Sequence, residues 1–208
     1  MDINFELQKY AVSRETIQKL NNFVEILRNW NNKMNLVSKN SMNDVWERHV
    51  LDSLQLLDYI PQNAKQLVDI GSGAGFPAAV LAIVMQEKMP QTKITMVESI
   101  VKKTVYLNDV SQKLGLFNVK IENNRVENIV FKDVDVVTAR AVAALDVLCG
   151  YAYKIIGKSG KLLFLKGRTY EQEHTVACQK WDYDLTIYPN KYCGDGVLME
   201  LCNLRKKQ

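Results

Sequence analysis

The chain has 208 residues, of which 47% are hydrophobic, and it carries a formal net charge of +4. This length and composition suit one domain with a buried core, and they exclude disorder of the whole chain. The excess positive charge lies in residues 148 to 208, which carry ten basic and six acidic side chains. A basic end on a neutral body allows contact with nucleic acid, although an ordinary solvated surface would look the same.

No apolar run approaches the ~18 residues needed to cross a bilayer, and the start MDINFELQKY lacks the features of a signal peptide. We therefore predict a cytoplasmic protein without a membrane partner. The four cysteines show no CxxC spacing, so neither a metal site nor a disulfide framework is predicted.

The first 65 residues have helical patterns. Apolar residues recur at helical spacing over residues 14 to 30 and 45 to 57, on either side of an Asn-rich link. We predict an N-terminal helical extension over residues 1–65 that packs on a core of residues 66–208, the two forming one domain. In the second helix Arg48 and Asp52 have the i,i+4 spacing of a salt bridge, and His49 on the apolar face is open to interpretation as a core histidine.

From residue 66 onwards, short apolar runs alternate with helical segments. The strand candidates are QLVDI, KITMVE, NVKIEN, VDVVTA and GKLLFLK, and helices are predicted over residues 77 to 88, 100 to 114 and 141 to 156. This alternation indicates a parallel sheet with helices on both faces. After a helical stretch over residues 169 to 180, YDLTIYP and GVLMELCNLR predict a closing antiparallel hairpin. The fold class is therefore α/β with a mostly parallel seven-stranded sheet.

A glycine loop follows the first strand, with Asp69 in the strand and glycines at Gly71, Gly73 and Gly75. A dinucleotide fingerprint has a third glycine where Phe76 stands, and Pro77 removes an N–H from the helix start. A phosphate ligand therefore fits poorly, which disfavours an NAD-dependent oxidoreductase. S-adenosylmethionine has no phosphate, and its positively charged sulfonium is favoured by a nearby carboxylate.

Three further polar residues stand at strand ends. Glu98 ends the second strand, where an acid can accept both ribose hydroxyls of a bound nucleoside. Arg140 and Lys166 end the fourth and fifth strands, so we expect all of these groups and Asp69 to share one rim at the carboxyl edge of the sheet. The alternatives are a solvated acid for Glu98, a structural ion pair for Arg140 and a plain surface lysine for Lys166.

Seven segments, in this order and spacing, resemble the bacterial RsmG family (formerly GidB): WNNKMNLVS at 30 to 38, RHVLDSL at 48 to 54, DIGSGAGFP at 69 to 77, VESIVKKTVYL at 97 to 107, RVE at 125 to 127, DVVTARAVA at 135 to 143 and LKG at 165 to 167. The resemblance implies a class I, Rossmann-like methyltransferase. Its activity would be transfer of the methyl group of S-adenosylmethionine to N7 of guanine 527 in 16S ribosomal RNA.

The resemblance also implies site residues. The cofactor would lie against Gly71 and Phe76, near Val126 and Glu127 at its adenine, and beside Arg140. RNA phosphates would be held by basic groups beside the cofactor, for which the candidates are Arg125, Lys166, Arg48 and His49.

The sequence departs from the family pattern in two places. Ala78 stands where the family usually has Gly after Phe-Pro, which should only tighten the helix start. The segment CGDGVLMEL lacks the Arg-His pair that the family tends to carry before its last strand. Any phosphate contact made by that arginine must here be absent or be supplied by Lys191 or Arg205.

Guanine N7 has a free lone pair at neutral pH, so the predicted reaction needs no general base and none is assigned. Arg140 is expected to contact the cofactor, guanine O6 or a phosphate, since a bidentate contact to O6 and N7 would occupy that lone pair. Methylation of another RNA, a small molecule or a protein stays an alternative, as does a regulatory adenosylmethionine-binding protein. The expected partner is 16S RNA, alone or within a 30S subunit or assembly intermediate, and the expected state is a monomer.

Overall fold

The structure is a computed structural model that describes residues 2–207. It opens with three helices: α1 at Ile3–Lys9, α2 at Arg14–Asn31 and α3 at Lys39–Asn43. The side chains of Asp2 and Ser13 cap the first two helices by accepting hydrogen bonds from backbone N–H groups. The apolar stripe of α2 is buried, with Leu20, Phe23 and Leu27 fully covered. The predicted amphipathic helix is confirmed.

The segment predicted as one helix over residues 45 to 57 contains three kinds of helical turn. It comprises a π-helical stretch at Trp46–Leu51, a short α-turn (α4) at Asp52–Leu54 and a 3₁₀ turn at Gln55–Asp58. The apolar pattern did not anticipate that Asp52 and Gln55 are buried. They can be buried because Gln55 Nε2 donates a hydrogen bond to Asp52 Oδ1 at 2.9 Å, so that each side chain meets part of the hydrogen-bonding capacity of the other.

The seven strands are β1 at Gln66–Ile70, β2 at Lys93–Glu98, β3 at Val119–Asn123, β4 at Val134–Arg140, β5 at Ile156–Lys166, β6 at Trp181–Pro189 and β7 at Val197–Lys206. They lie in one sheet in the order β3-β2-β1-β4-β5-β7-β6. Strands β1 to β5 are parallel, and β7 runs antiparallel to both β5 and β6. The predicted sheet and closing hairpin are confirmed. The sequence did not show that β7 inserts beside β5.

The remaining helices are α5 at Ala78–Lys88, α6 at Val101–Leu114, α7 at Leu145–Ala152 and α8 at Tyr170–Ala177. Every residue of α5 from Ala78 to Met85 is buried, as its apolar sequence predicts. Helix α7 begins four residues later than predicted, because the chain leaves β4 through Ala141 in the left-handed region at φ 53°. Among the described residues, no helix combines the length and the apolar character that a membrane span requires.

Helices cover both faces of the sheet. One buried core includes residues of α2, α5 and α6, and a second includes residues of α7 and α8. The N-terminal helices belong to the first core: Trp30 Nε1 donates to Asp109 Oδ2 at 2.7 Å, and the Phe23 ring lies 5.4 Å from that of Phe76. The extension thus packs against the glycine loop.

Candidate functional site

The loop after β1 places its glycines where other residues would be strained or would clash. Gly71 has φ +68°, and a Cβ added there would lie 2.7 Å from Val142 Cγ2. Gly75 has φ +88°, and a Cβ there would lie 3.0 Å from that of Ala79. The loop therefore runs close to the segment after β4 and to the start of α5, which only glycine allows at these two positions.

Glu98 is fixed by the glycine loop itself. Its Oε2 accepts a hydrogen bond from Gly73 N at 3.0 Å, and its Oε1 accepts one from Ile100 N at 2.8 Å. Each oxygen keeps a further lone pair. The carboxylate can therefore accept hydrogen bonds from the hydroxyl groups of a ligand without moving.

A cavity of about 320 Å³ opens beside Glu98. Of the predicted cofactor residues, those that line it are Gly71, Glu98, Val126 and Glu127. Arg125 lines it too. Tyr151, which the sequence did not single out, donates to Glu127 Oε1 at 3.1 Å and closes one side. The lining combines apolar side chains such as Val97 and Val126 with the carboxylates of Glu98 and Glu127, so it offers both a surface for a base and acceptors for hydroxyl groups.

Asp69 lies beneath the rim. Its Oδ1 accepts a hydrogen bond from Thr138 Oγ1 at 2.6 Å, because the two residues are neighbours across β1 and β4. Its Oδ2 is buried without a partner among the described residues. Burial, with a smaller contribution from the charge of Glu98, raises the pKa of Asp69 to about 7. Asp69 therefore does not share the rim with the other strand-end residues.

A second cavity of about 920 Å³ lies on the other side of Ala141 and Val142, which line both cavities. Its basic lining residues are Arg48, Arg140, Lys166 and Arg168. Of the predicted cofactor residues, Arg140 lies here, whereas those absent from the lining of both cavities are Asp69, Gly73, Gly75 and Phe76.

Arg140 is held by the N-terminal extension. Its Nη1 lies 3.1 Å from Asp52 Oδ2, and its Nη2 donates to the Arg48 carbonyl at 2.6 Å. Asn190 Nδ2 also donates to Asp52, at 2.5 Å. Burial raises the pKa of Asp52, and the charge of Arg140 opposes that shift. The ion pair of Asp52 is thus with Arg140, rather than with Arg48 as the helical spacing suggested.

His49 stacks on Phe76, with ring centroids 4.7 Å apart. Both ring nitrogens are buried without a hydrogen-bond partner in the part of the chain that the structure describes, so it is not a satisfied core histidine. Burial, then the charges of Arg140 and Arg48, lowers its pKa to about 3. The imidazole is therefore neutral at neutral pH, and it lies behind the loop, outside the lining of both cavities.

Lys166 is paired inside the protein. Its Nζ lies 2.5 Å from Glu173 Oε2 and donates to the Ala143 carbonyl at 2.9 Å. Sequence reasoning missed Glu173 because it stands in the first turn of a helix, away from any strand end. The two late basic residues considered as phosphate ligands are also paired, Lys191 with Asp58 and Arg205 with Asp182. Within residues 2–207, no group of side chains is suited to a metal ion.

The sequence matches a family model described as rRNA small subunit methyltransferase G over residues 16–190. The protein called Ribosomal RNA small subunit methyltransferase G in Ruegeria sp. (strain TM1040) is 40% identical over 181 residues, covering 87% of this chain and 86% of that protein. The protein of the same name in Rickettsia akari (strain Hartford) is 38% identical over 195 residues, covering 94% of this chain and 98% of that protein.

Solved structures share the fold at low identity. A methyltransferase from Geobacter sulfurreducens superposes with a TM-score of 0.58 at 15% identity, over 86% of this chain and 87% of that one. A SAM-dependent methyltransferase from Aquifex aeolicus superposes with a TM-score of 0.57 at 16% identity, over 72% of this chain and 89% of that one. The predicted class I fold and the predicted family are confirmed. The chain belongs to the rRNA small subunit methyltransferase G family, and it is an S-adenosylmethionine-dependent methyltransferase.

Proposed function

We propose that the protein transfers the methyl group of S-adenosylmethionine to N7 of guanine 527 in 16S ribosomal RNA. Its relatives are named as ribosomal RNA small subunit methyltransferases, which supports ribosomal RNA as the substrate class. The observation that carries the proposal is the shared wall of the two cavities at Ala141 and Val142. A cofactor in one cavity and a guanine in the other would meet at these two residues, where N7, the methyl carbon and the sulfur would lie in line.

The smaller cavity fits the nucleoside part of the cofactor. Glu98 is oriented by two backbone amides and keeps lone pairs for the ribose hydroxyls. Val126 and Glu127 would hold the adenine, and the absence of a Cβ at Gly71 lets Val142 pack against the loop at the edge of this cavity. The remaining predicted cofactor residues would act by shaping the loop: Asp69, Gly73, Gly75 and Phe76.

The larger cavity is the proposed RNA site. Arg48 and Arg168 line it and would meet phosphates, and Arg125 would do so at the entrance of the smaller cavity. Arg140, oriented by Asp52, would contact the cofactor or guanine O6. His49 would contribute indirectly, by supporting Phe76 from behind.

The chemistry asks the protein for orientation rather than for proton transfer. When bound, S-adenosylmethionine supplies a methyl group activated by its sulfonium. The N7 lone pair needs no deprotonation, so no side chain is assigned as a general base. His49 lines neither cavity, and Asp52 forms an ion pair with Arg140. Holding two reactants in line can contribute about 7–11 kcal/mol towards the barrier.

One chain is proposed as the active unit, in the cytoplasm where its substrate is found. The extension of residues 1–65 would act with the core of residues 66–208 as one domain. The support is the bond of Asp52 to Arg140, which joins the extension to the proposed site.

The decisive experiment maps 7-methylguanosine in 16S RNA from cells with and without this protein. Purified protein and labelled cofactor are then offered naked 16S RNA, 30S subunits and assembly intermediates, with Gly71→Ala, which is expected to bind the cofactor weakly, as the control. We expect label at the N7 position of guanine 527 in at least one of these substrates. Label on another RNA or on a small molecule would refute this assignment and support the alternative substrate class.

A further inference from the structure

We propose that Lys166 and Glu173 are positioning residues that hold the segment of residues 141–144 as the wall between the two cavities. This inference rests on the proposed function, since it treats the cavities as cofactor and RNA sites. It assigns Lys166 a task other than phosphate contact.

The wall segment depends on side-chain contacts for its position. It lies between the end of β4 and the start of α7, outside both strand and helix. Ala141 has φ 53°, and Val142 packs so closely on Gly71 that a Cβ there would lie 2.7 Å away. A small shift of Val142 would therefore change the shape of the cofactor cavity.

Lys166 and Glu173 hold the C-terminal half of this segment at two points. The Lys166 ammonium donates to the Ala143 carbonyl at 2.9 Å. Glu173 Oε2 accepts a hydrogen bond from Leu145 N at 2.9 Å and lies 2.5 Å from Lys166 Nζ. Thr169 Oγ1 donates to the other carboxylate oxygen at 3.1 Å. The ion pair thus holds the chain on both sides of residue 144.

The burial of the pair makes each member dependent on the other. The Lys166 side chain is 8% exposed and that of Glu173 is 21% exposed. Removing one charge leaves the other uncompensated in a poorly solvated place, which is strongly unfavourable, so the remaining group should lose its hold on the wall segment. Loss of either residue should therefore release the same segment.

A phosphate-contact role and a positioning role predict opposite results for Glu173→Gln. If Lys166 served RNA, this variant would free its ammonium, and RNA affinity would rise. If the pair positions the wall, the variant weakens cofactor binding and leaves RNA affinity unchanged.

The test uses the full chain and the variants Lys166→Met, Glu173→Gln, their double variant and Lys166→Arg. Calorimetry measures S-adenosylhomocysteine affinity, filter binding measures 16S RNA affinity over a range of salt, and kinetics separate kcat from the KM of each substrate. We expect each neutralising variant to weaken S-adenosylhomocysteine binding roughly tenfold. The double variant should bind S-adenosylhomocysteine no more weakly than the weaker-binding single variant. Lys166→Arg should keep more of this affinity than Lys166→Met.

A matched control is Lys161→Met, which breaks another lysine–carboxylate pair on the same strand. Lys161 Nζ lies 2.7 Å from Glu200 Oε1, and neither residue lines the proposed cofactor or RNA cavity. This variant should keep the affinity for S-adenosylhomocysteine. If Lys166→Met does not fold, Glu173→Gln, which keeps the side-chain shape, decides between the two roles by itself.

The proposal is overturned if Lys166→Met keeps cofactor affinity but weakens RNA binding and reduces its salt slope by about one. Tighter RNA binding by Glu173→Gln would overturn it as well. Wild-type protein that failed to bind S-adenosylhomocysteine would refute both proposals. Wild-type protein that binds it but leaves guanine 527 unmodified would refute only the proposed substrate, because cofactor affinity still tests the ion pair.

Discussion

His49 should make the protein less stable in mild acid, and His49→Phe should remove that effect. The native pKa of His49 is about 3, against 6.5 for an ordinary histidine. As the pH falls below 6.5, the unfolded chain takes up this proton before the native protein does. As far as His49 is concerned, the native protein therefore keeps its full free energy of unfolding above pH 6.5. It loses part of that free energy progressively as the pH falls from 6.5 towards 3, because the unfolded chain is stabilised by the proton on His49.

The size of the effect follows from the same pKa values. Each unit of pH between them is worth about 1.4 kcal/mol. The free energy of unfolding at about pH 5 should therefore be about 2 kcal/mol lower than at about pH 8 because of His49. Phenylalanine retains a ring that can stack on Phe76 and carries no titratable nitrogen, so this loss should disappear in the variant.

Urea unfolding of both proteins at the two pH values measures the effect. Asp69 acts in the opposite direction, because its pKa is raised to about 7 and the native protein takes up its proton first. Its contribution is common to both proteins and cancels in their difference. The only other histidine of the chain, His174, provides a control, since His174→Phe should keep the loss due to His49. Equal loss of stability in wild type and His49→Phe would refute the buried, neutral assignment.

Three further outcomes are expected. Gly71→Ala should weaken S-adenosylhomocysteine binding at least about tenfold in calorimetry, because its Cβ meets Val142 and its φ of +68° is strained; unchanged affinity would contradict the packing described. Glu98→Gln should weaken S-adenosylhomocysteine binding roughly tenfold. The two carboxylate oxygens now accept hydrogen bonds from backbone N–H groups, and an amide has only one acceptor oxygen. The far-ultraviolet circular dichroism spectrum should stay the same, because the fold is kept. Asp52→Ala should lower the free energy of unfolding by about 3 kcal/mol in urea, because it removes the charged partner of Arg140 and the buried acceptor of the Gln55 and Asn190 amides; an unchanged midpoint and slope would show that these contacts contribute nothing.

Much of the fold could be predicted from the sequence because its signals are local. The alternation of apolar strands with helices predicted the parallel sheet, and the apolar stretch of residues 78 to 85 after Pro77 was found buried. The predicted helix over residues 45 to 57 was less accurate, because the apolar pattern could not show that Asp52 and Gln55 are buried and bonded to each other. The start of α7 was misplaced for a similar reason, since the left-handed Ala141 has no sequence signal.

The candidate site could be predicted only in part. Glu98 and Arg140, selected because they end strands, each line a cavity, but not the same one. The strand-end criterion misplaced Asp69, because its side chain turns to the neighbouring strand and bonds to Thr138 below the rim. Lys166 lines a cavity as expected, but its ammonium is already held by Glu173.

The sequence by itself determined the class of cofactor, since the glycine spacing and Phe76 occur within a few residues and describe one loop. It also determined the family, through seven segments in a fixed order. Only the tertiary structure decided what each charged side chain contacts. Asp52 meets Arg140, and Lys166 meets Glu173, because the sheet order and the packing of separate helices bring distant residues together, and burial then makes each pair depend on both of its charges.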